Sequence, residues 1–229
     1  MNPRNIKAWY RSASACLALD KTADAEDACS RGLEVDPLNA ALRSLSTKIQ
    51  VRKAQLLQEE TTRREREKRI AAEQTSLDTA FKLRSIPIRT TSQPPDTQDA
   101  TPTLSSPLDP ASTLSLPVLL LYPRAGQSDL IKSFDETHSL ADHLAYIMPD
   151  MPWDLAKAYA PDTVDCYIAT PAGGAAKVGK KLALRKILES GKAEVVDGVL
   201  RVYVVPRLEA EEWLKEFKEL VRRERERGV

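Results

Sequence analysis

The chain has 229 residues, enough for one ordinary domain with extensions or for two small ones. Its 34 lysines and arginines against 33 aspartates and glutamates leave a net charge of +1, which excludes an overall bias toward polyanions. The longest apolar run, Leu116–Tyr122, is far short of the ~20 residues of a membrane-spanning helix, and the Met1-Asn2-Pro3-Arg4 start lacks a signal-type apolar region, so a soluble intracellular chain is expected.

Residues 5–20 and 22–35 are predicted as a helical hairpin turning at Leu19-Asp20-Lys21. An early Trp9, small Ala13 and Ala25 at the helix crossing, and Pro37 after the second helix fit the 34-residue template of a tetratricopeptide repeat. Such a hairpin gains most of its core from stacked neighbours, and no second copy of the pattern follows. Cys16, Cys29 and Cys166 have no metal-ligand spacing and read as reduced, buried thiols. A third helix is predicted from about Asn39, its N-cap, to residue 84 or 85. Leu42, Leu45, Ile49 and Leu56 form a stripe that packs back on the hairpin. Residues 58–69 are almost wholly charged or polar, so much of this helix is expected to project into solvent, reaching roughly 70 Å if unbroken.

Residues 86–115 scatter Pro87, Pro94, Pro95, Pro102, Pro107 and Pro110 among Ser and Thr, which predicts a disordered linker. Thr101-Pro102 and Ser106-Pro107 are candidate phosphorylation sites within it. From residue 116 to 229 the chain reads as a small domain. A buried strand is predicted at Val118–Tyr122, a helix over Ser128–Ser133, and another over Leu140–Met148. A polar helix is predicted after Pro152-Trp153-Asp154, ending near Tyr159. Then come a strand at Val164–Ala169, a Gly/Ala-rich loop, a helix over Leu182–Ser190, a hairpin at Asp197-Gly198, and a charged helix from Leu208 to Arg227. The fold class is α+β: an all-α N-terminal part and a C-terminal domain with a mixed sheet.

The residues offer little catalytic chemistry. Gly174-Ala-Ala-Lys-Val-Gly179-Lys180 meets the phosphate-loop spacing, but Lys181 stands where Ser or Thr ligates magnesium; a flexible loop is the preferred reading and nucleotide binding the alternative. His138 and His143 are five apart, off a common helical face, and Asp135 and Glu136 read as helix-surface carboxylates. No catalytic residue, metal site or cofactor is assigned, and no enzyme is expected. The basic run Arg63–Arg69 interleaves glutamates and lacks aromatics, so a salt-bridged face is preferred over an RNA site, and nucleic acid is not an expected partner. Tyr122, Trp153 and Tyr159 read as core rather than groove. Lys7 and Arg11 stand apart: four residues apart on the groove face of the first helix, they would repel one another without a ligand carboxylate. Asn5 and Ala8 are further groove-lining candidates.

Asn5-Ile-Lys-Ala-Trp-Tyr-Arg-Ser-Ala13 resembles the third repeat of co-chaperone arrays that grip the acidic Glu-Glu-Val-Asp tail of heat-shock proteins 90 and 70. That resemblance implies that Lys7 and Arg11 are two of five carboxylate-clamp residues, the others lying in two preceding repeats. Leu116-Pro-Val-Leu-Leu-Leu-Tyr-Pro123, Gln127-Ser-Asp-Leu-Ile131, His143-Leu144 and Pro152-Trp-Asp154 are similar to the C-terminal domain of the tetratricopeptide repeat protein 4 family, which has a fungal co-chaperone relative. It implies a last repeat, a long charged helix, a linker and a wheel domain for client contact. Translation-factor clients and a cytoplasmic and nuclear location are likewise implications of the resemblance. The family has two more repeats upstream, with Asn2-Pro3 matching the end of the preceding one, so an N-terminally truncated chain is expected.

Overall fold

In a computed structural model of the chain, which describes residues 5–226, the first helix begins where the sequence supplies its cap. The Asn5 side chain accepts a hydrogen bond from the Ala8 amide at 3.2 Å and opens α1 (Ile6–Ala18). Asn2-Pro3 lies outside the described residues. Asp20, at a left-handed φ of 58°, turns the chain into α2 (Thr22–Val35). Asn39 then caps α3 (Ala40–Leu83), accepting from the Leu42 amide at 3.1 Å. The chain divides into two compact units at Ala71/Ala72, inside α3.

In the first unit Ala13, Ala25, Ala28 and Cys29 let α1 and α2 approach closely, and Leu42, Leu45 and Ile49 of α3 complete the core. Gly32 marks the tightest contact: a Cβ there would lie 2.8 Å from Leu42 Cδ1 and 3.1 Å from Trp9 Cβ. Polar clasps tie α3 to the hairpin. Arg52 holds Asp20 bidentately at 2.7 and 2.8 Å, and Lys53 reaches Glu26 at 2.6 Å. These partners hold the Asp20 and Glu26 carboxyls below their ordinary pKa. The helix from Asn39 thus supplies part of the core that a lone hairpin lacks.

The second unit is built on one curled mixed sheet. Its central strands, β3 (Leu114–Tyr122) and β8 (Val199–Pro206), run parallel, with Val118 beside Leu200 and Leu121 beside Tyr203. β4 (Gln127–Asp135) flanks β3, while β5 (Val164–Ala169) flanks β8 and carries β6 (Ala175–Val178). β7 (Val195–Val196) turns into β8 through Asp197 and Gly198, both at positive φ, as the Asp-Gly signal predicts. Alternate strand residues Leu116, Val118, Leu120, Cys166, Val202 and Val204 form the main core with α4 (Leu140–Ile147) and α5 (Leu184–Leu188). The opposite face carries Tyr167, Tyr203 and Val205 beneath Trp213 and Phe217 of α6 (Ala210–Glu226). Arg124 binds α6 through Glu212 and Glu216, at 3.2 and 2.9 Å, and Glu209 just before it at 3.2 Å. The expected helix end at Arg227 lies outside the described residues.

Four expectations need correction. The 128–133 stretch is strand β4: Gly126, at φ 63°, returns the chain so that Phe134 pairs with Leu116 and Ile131 with Val118, and sheet pairing overrides the local Ser128-Asp129 cap signal. No helix follows Trp153. Asp154 accepts the Ala158 and Tyr159 amides at 2.9 and 2.8 Å, and Lys157 takes a left-handed φ of 50° that a helix does not admit. The Gly/Ala loop contains strand β6. Residues 86–115, expected to be disordered, are threaded into the domain. β1 (Ile88–Arg89) pairs with β7 and β2 (Thr103–Leu104) with β3, while Ile86 and Leu104 are buried. Few apolar residues suffice because side chains elsewhere pin this backbone: Asp197 takes the Thr91 amide and hydroxyl at 2.6 Å each, and Arg84 takes the Pro110 and Ser112 carbonyls.

Candidate peptide-binding site

Helix α1 has two faces with different duties. Trp9 and Ala13 turn inward, with the Arg31 guanidinium 5.7 Å from the Trp9 ring centre. Lys7 and Arg11 are exposed on another face and border a depression of about 300 Å³ with Ile6, Tyr10, Asn39 and Ala41. Among the described residues neither cation has an ion pair, whereas Arg31, Arg52 and Lys53 of the same unit all do. A pair of exposed donors beside a largely apolar depression suits a carboxylate attached to an aliphatic side chain.

Asn5 and Ala8, the other groove-lining candidates, are not among the residues that border this depression. Asn5 spends its side chain on the helix cap, and Ala8 supplies the amide it captures. Tyr10 and Asn39 border the depression as well; the N-cap signal at Asn39 marks where α3 begins but not what it packs beside.

The other candidates dissolve on inspection. Residues 175–178 are committed to pairing with β5, and Lys180 Nζ donates to the Pro161 and Val164 carbonyls, so the phosphate-loop spacing forms no cradle. Arg64 is paired with Glu60 at 2.6 Å and Arg63 with Glu67 at 3.7 Å, a salt-bridged helix face. Glu136 is no surface carboxylate: it is 1% exposed and grips Arg84 with both oxygens at 2.7 Å. His138 and His143 have rings 5.5 Å apart, and His143 stacks on Phe134 at 4.0 Å. Burial lowers the His143 pKa, with His138 adding to it. Tyr122 and Tyr159, both buried, and the half-buried Trp153 form one aromatic cluster with ring centres 5.0–5.5 Å apart, joining the Leu-Tyr-Pro and Pro-Trp-Asp segments at the core. Burial holds the Tyr159 phenol up at about 12.

Residues 106–217 match the Cns1/TTC4 Wheel domain. The Hsp70/Hsp90 co-chaperone cns1 of Schizosaccharomyces pombe is 34% identical over 217 residues, covering 93% of this chain and 60% of that protein. Hsp70/Hsp90 co-chaperone CNS1 of Saccharomyces cerevisiae is 29% identical over 95% of this chain and 58% of its own length. Human tetratricopeptide repeat protein 4 is 29% identical over 73% of this chain and 47% of its own. The chain therefore spans at most about three fifths of these relatives. In three dimensions it is similar to the Saccharomyces cerevisiae Hsp90 co-chaperone Cns1, with a TM-score of 0.83 at 25% identity over 94% of this chain and 72% of that one. No helix among the described residues is long and apolar enough to cross a membrane.

Proposed function

The chain belongs to the Cns1/TTC4 family, and on that premise we propose that it serves as a non-enzymatic co-chaperone of heat-shock protein 90, with heat-shock protein 70 as a second chaperone partner. In this reading residues 1–38 are the last repeat, and the start of α3 closes its stack. The wheel domain meets a client, for which the family resemblance suggests a translation factor.

The observation that carries the reading is the pair Lys7 and Arg11, without a carboxylate partner among the described residues and beside a largely apolar depression. Both are exposed, so their attraction for a peptide carboxylate is modest and screened by salt. They represent two of five clamp positions, which makes weak binding the expectation for these residues alone.

Sedimentation or interferometry with purified heat-shock protein 90 tests this. The expected result is measurable association that disappears when the chaperone lacks its last four residues and weakens as salt rises. Equal association with the shortened chaperone would contradict a tail-directed clamp.

A further inference from the structure

Arg201 is out of character with its strand. The run Val199-Leu-Arg-Val-Tyr-Val-Val205 is otherwise apolar or aromatic and occupies the middle of the sheet, with Arg201 beside Leu119 of β3. A half-buried cation there requires compensation, and the carboxylates near it among the described residues, Glu194 and Asp197, are already engaged. Glu194 pairs with Arg89 at 3.2 Å, and Asp197 gives one oxygen to the Thr91 amide and the other to its hydroxyl. Asp197 feels the charge of Arg201 without bonding it. Among the described residues Arg201 has no hydrogen bond or ion pair.

The side chain of Arg201 borders a cleft of about 400 Å³. One wall is the β5–β6 turn, made firm by Thr170, whose amide donates to the Gly174 carbonyl at 2.8 Å and whose hydroxyl accepts the Gly174 amide at 3.1 Å. The other wall is the later part of α6, where Phe217 reaches the sheet and Leu220 stays 54% exposed. Apolar surface on one side and an uncommitted guanidinium on the floor define a ligand with both characters.

We propose that this cleft docks an acidic, apolar segment of a partner protein, its carboxylate on Arg201 and its aliphatic side chain against Phe217 and Leu220. The match is one of charge: with Arg89 held by Glu194 and Asp197 held by Thr91, Arg201 is the cation of the cleft lining without an ion pair among the described residues, and a guanidinium takes a carboxylate in two parallel hydrogen bonds. The surface rests on the wheel domain being a partner-contact module, and it is separate from the Lys7 and Arg11 site.

Calorimetry on the full chain with acetyl-Leu-Glu-Leu-Glu-Leu-amide tests it, since blocked ends remove the terminal carboxylate a clamp would seek. Saturable binding is expected, weakened about ten-fold or more by Arg201→Gln, by Leu220→Glu, and by exchanging the peptide glutamates for glutamines. Lys7→Ala/Arg11→Ala should leave it unchanged. Leu220 is half-exposed, so its variant decides the matter if Arg201→Gln does not fold. Absent binding, or equal affinity in both cleft variants, overturns the cleft. Loss confined to Lys7→Ala/Arg11→Ala also overturns it, while leaving the co-chaperone reading intact.

Discussion

Arg84 and Glu136 form a buried ion pair that ties the end of α3 to the start of β3 in the second unit. Arg84 is 5% exposed and makes all five of its hydrogen bonds inside the protein: two to Glu136 and one each to the Ala80, Pro110 and Ser112 carbonyls. Glu136 also accepts the Leu114 amide at 3.0 Å where β3 begins. Removing one partner strands a buried charge, so Glu136→Ala or Arg84→Met should each cost about 3–5 kcal/mol in urea unfolding. The double variant should cost clearly less than the sum of the two. Additive losses would mean that the two residues act separately.

His143 gives a second prediction at this scale. Burial against Phe134, and secondarily His138, lowers its pKa from 6.5, opposed weakly by Asp142. The unfolded chain then binds more protons at this ring than the native one. Stability is full above pH 6.5, falls as the pH drops through that value, and levels once the native ring is also protonated. Thermal melts between pH 7.5 and 5.5 should show this decline, and His143→Phe should flatten it; an unchanged slope would remove the histidine from the account of acid sensitivity. The depressed carboxyls of Asp135, Asp142 and Asp197 act in a separate window, since their contribution is lost only as pH falls below the ordinary carboxylate range.

Helix α3 shows what an element owes to local and to distant residues. Its first turns are fixed by Leu42, Leu45 and Ile49, and its last turns by Ala80 and Phe81, whereas residues 58–69 are all exposed. Amide exchange should therefore be fastest in 58–69 and slowest around Ile49 and Phe81. Uniform protection along the helix would show that packing does not set its local stability. The same measurement bears on residues 86–115, where slow exchange is expected at Val195 and Asp197, whose amides donate to the Pro87 and Arg89 carbonyls. Those residues also show where sequence reasoning stops. The hairpin at Asp197-Gly198, the strand at Val164–Ala169 and the helix of Leu140–Ile147 carry their signals locally and were legible. The strand nature of 127–135 and the anchoring of 86–115 depend on Leu116, Arg84 and Asp197, partners distant in sequence that no local pattern names. At the candidate site, the spacing of Lys7 and Arg11 was legible, but the depression between α1 and the start of α3 was not.

At the level of the whole molecule, capture of a chaperone tail is the proposal that family membership and the pair Lys7 and Arg11 support together. The wheel domain marks the family, and Lys7 and Arg11 would supply the chemistry of the proposed clamp. These links meet in one titration: calorimetry or side-chain NMR of the chain with a short peptide ending in Glu-Glu-Val-Asp and a free carboxylate. Weak, salt-sensitive binding is expected, reduced about ten-fold by Lys7→Ala/Arg11→Ala and by amidating the peptide terminus, as befits the loss of charge-assisted hydrogen bonds. Affinity that is indifferent to both changes would contradict the clamp.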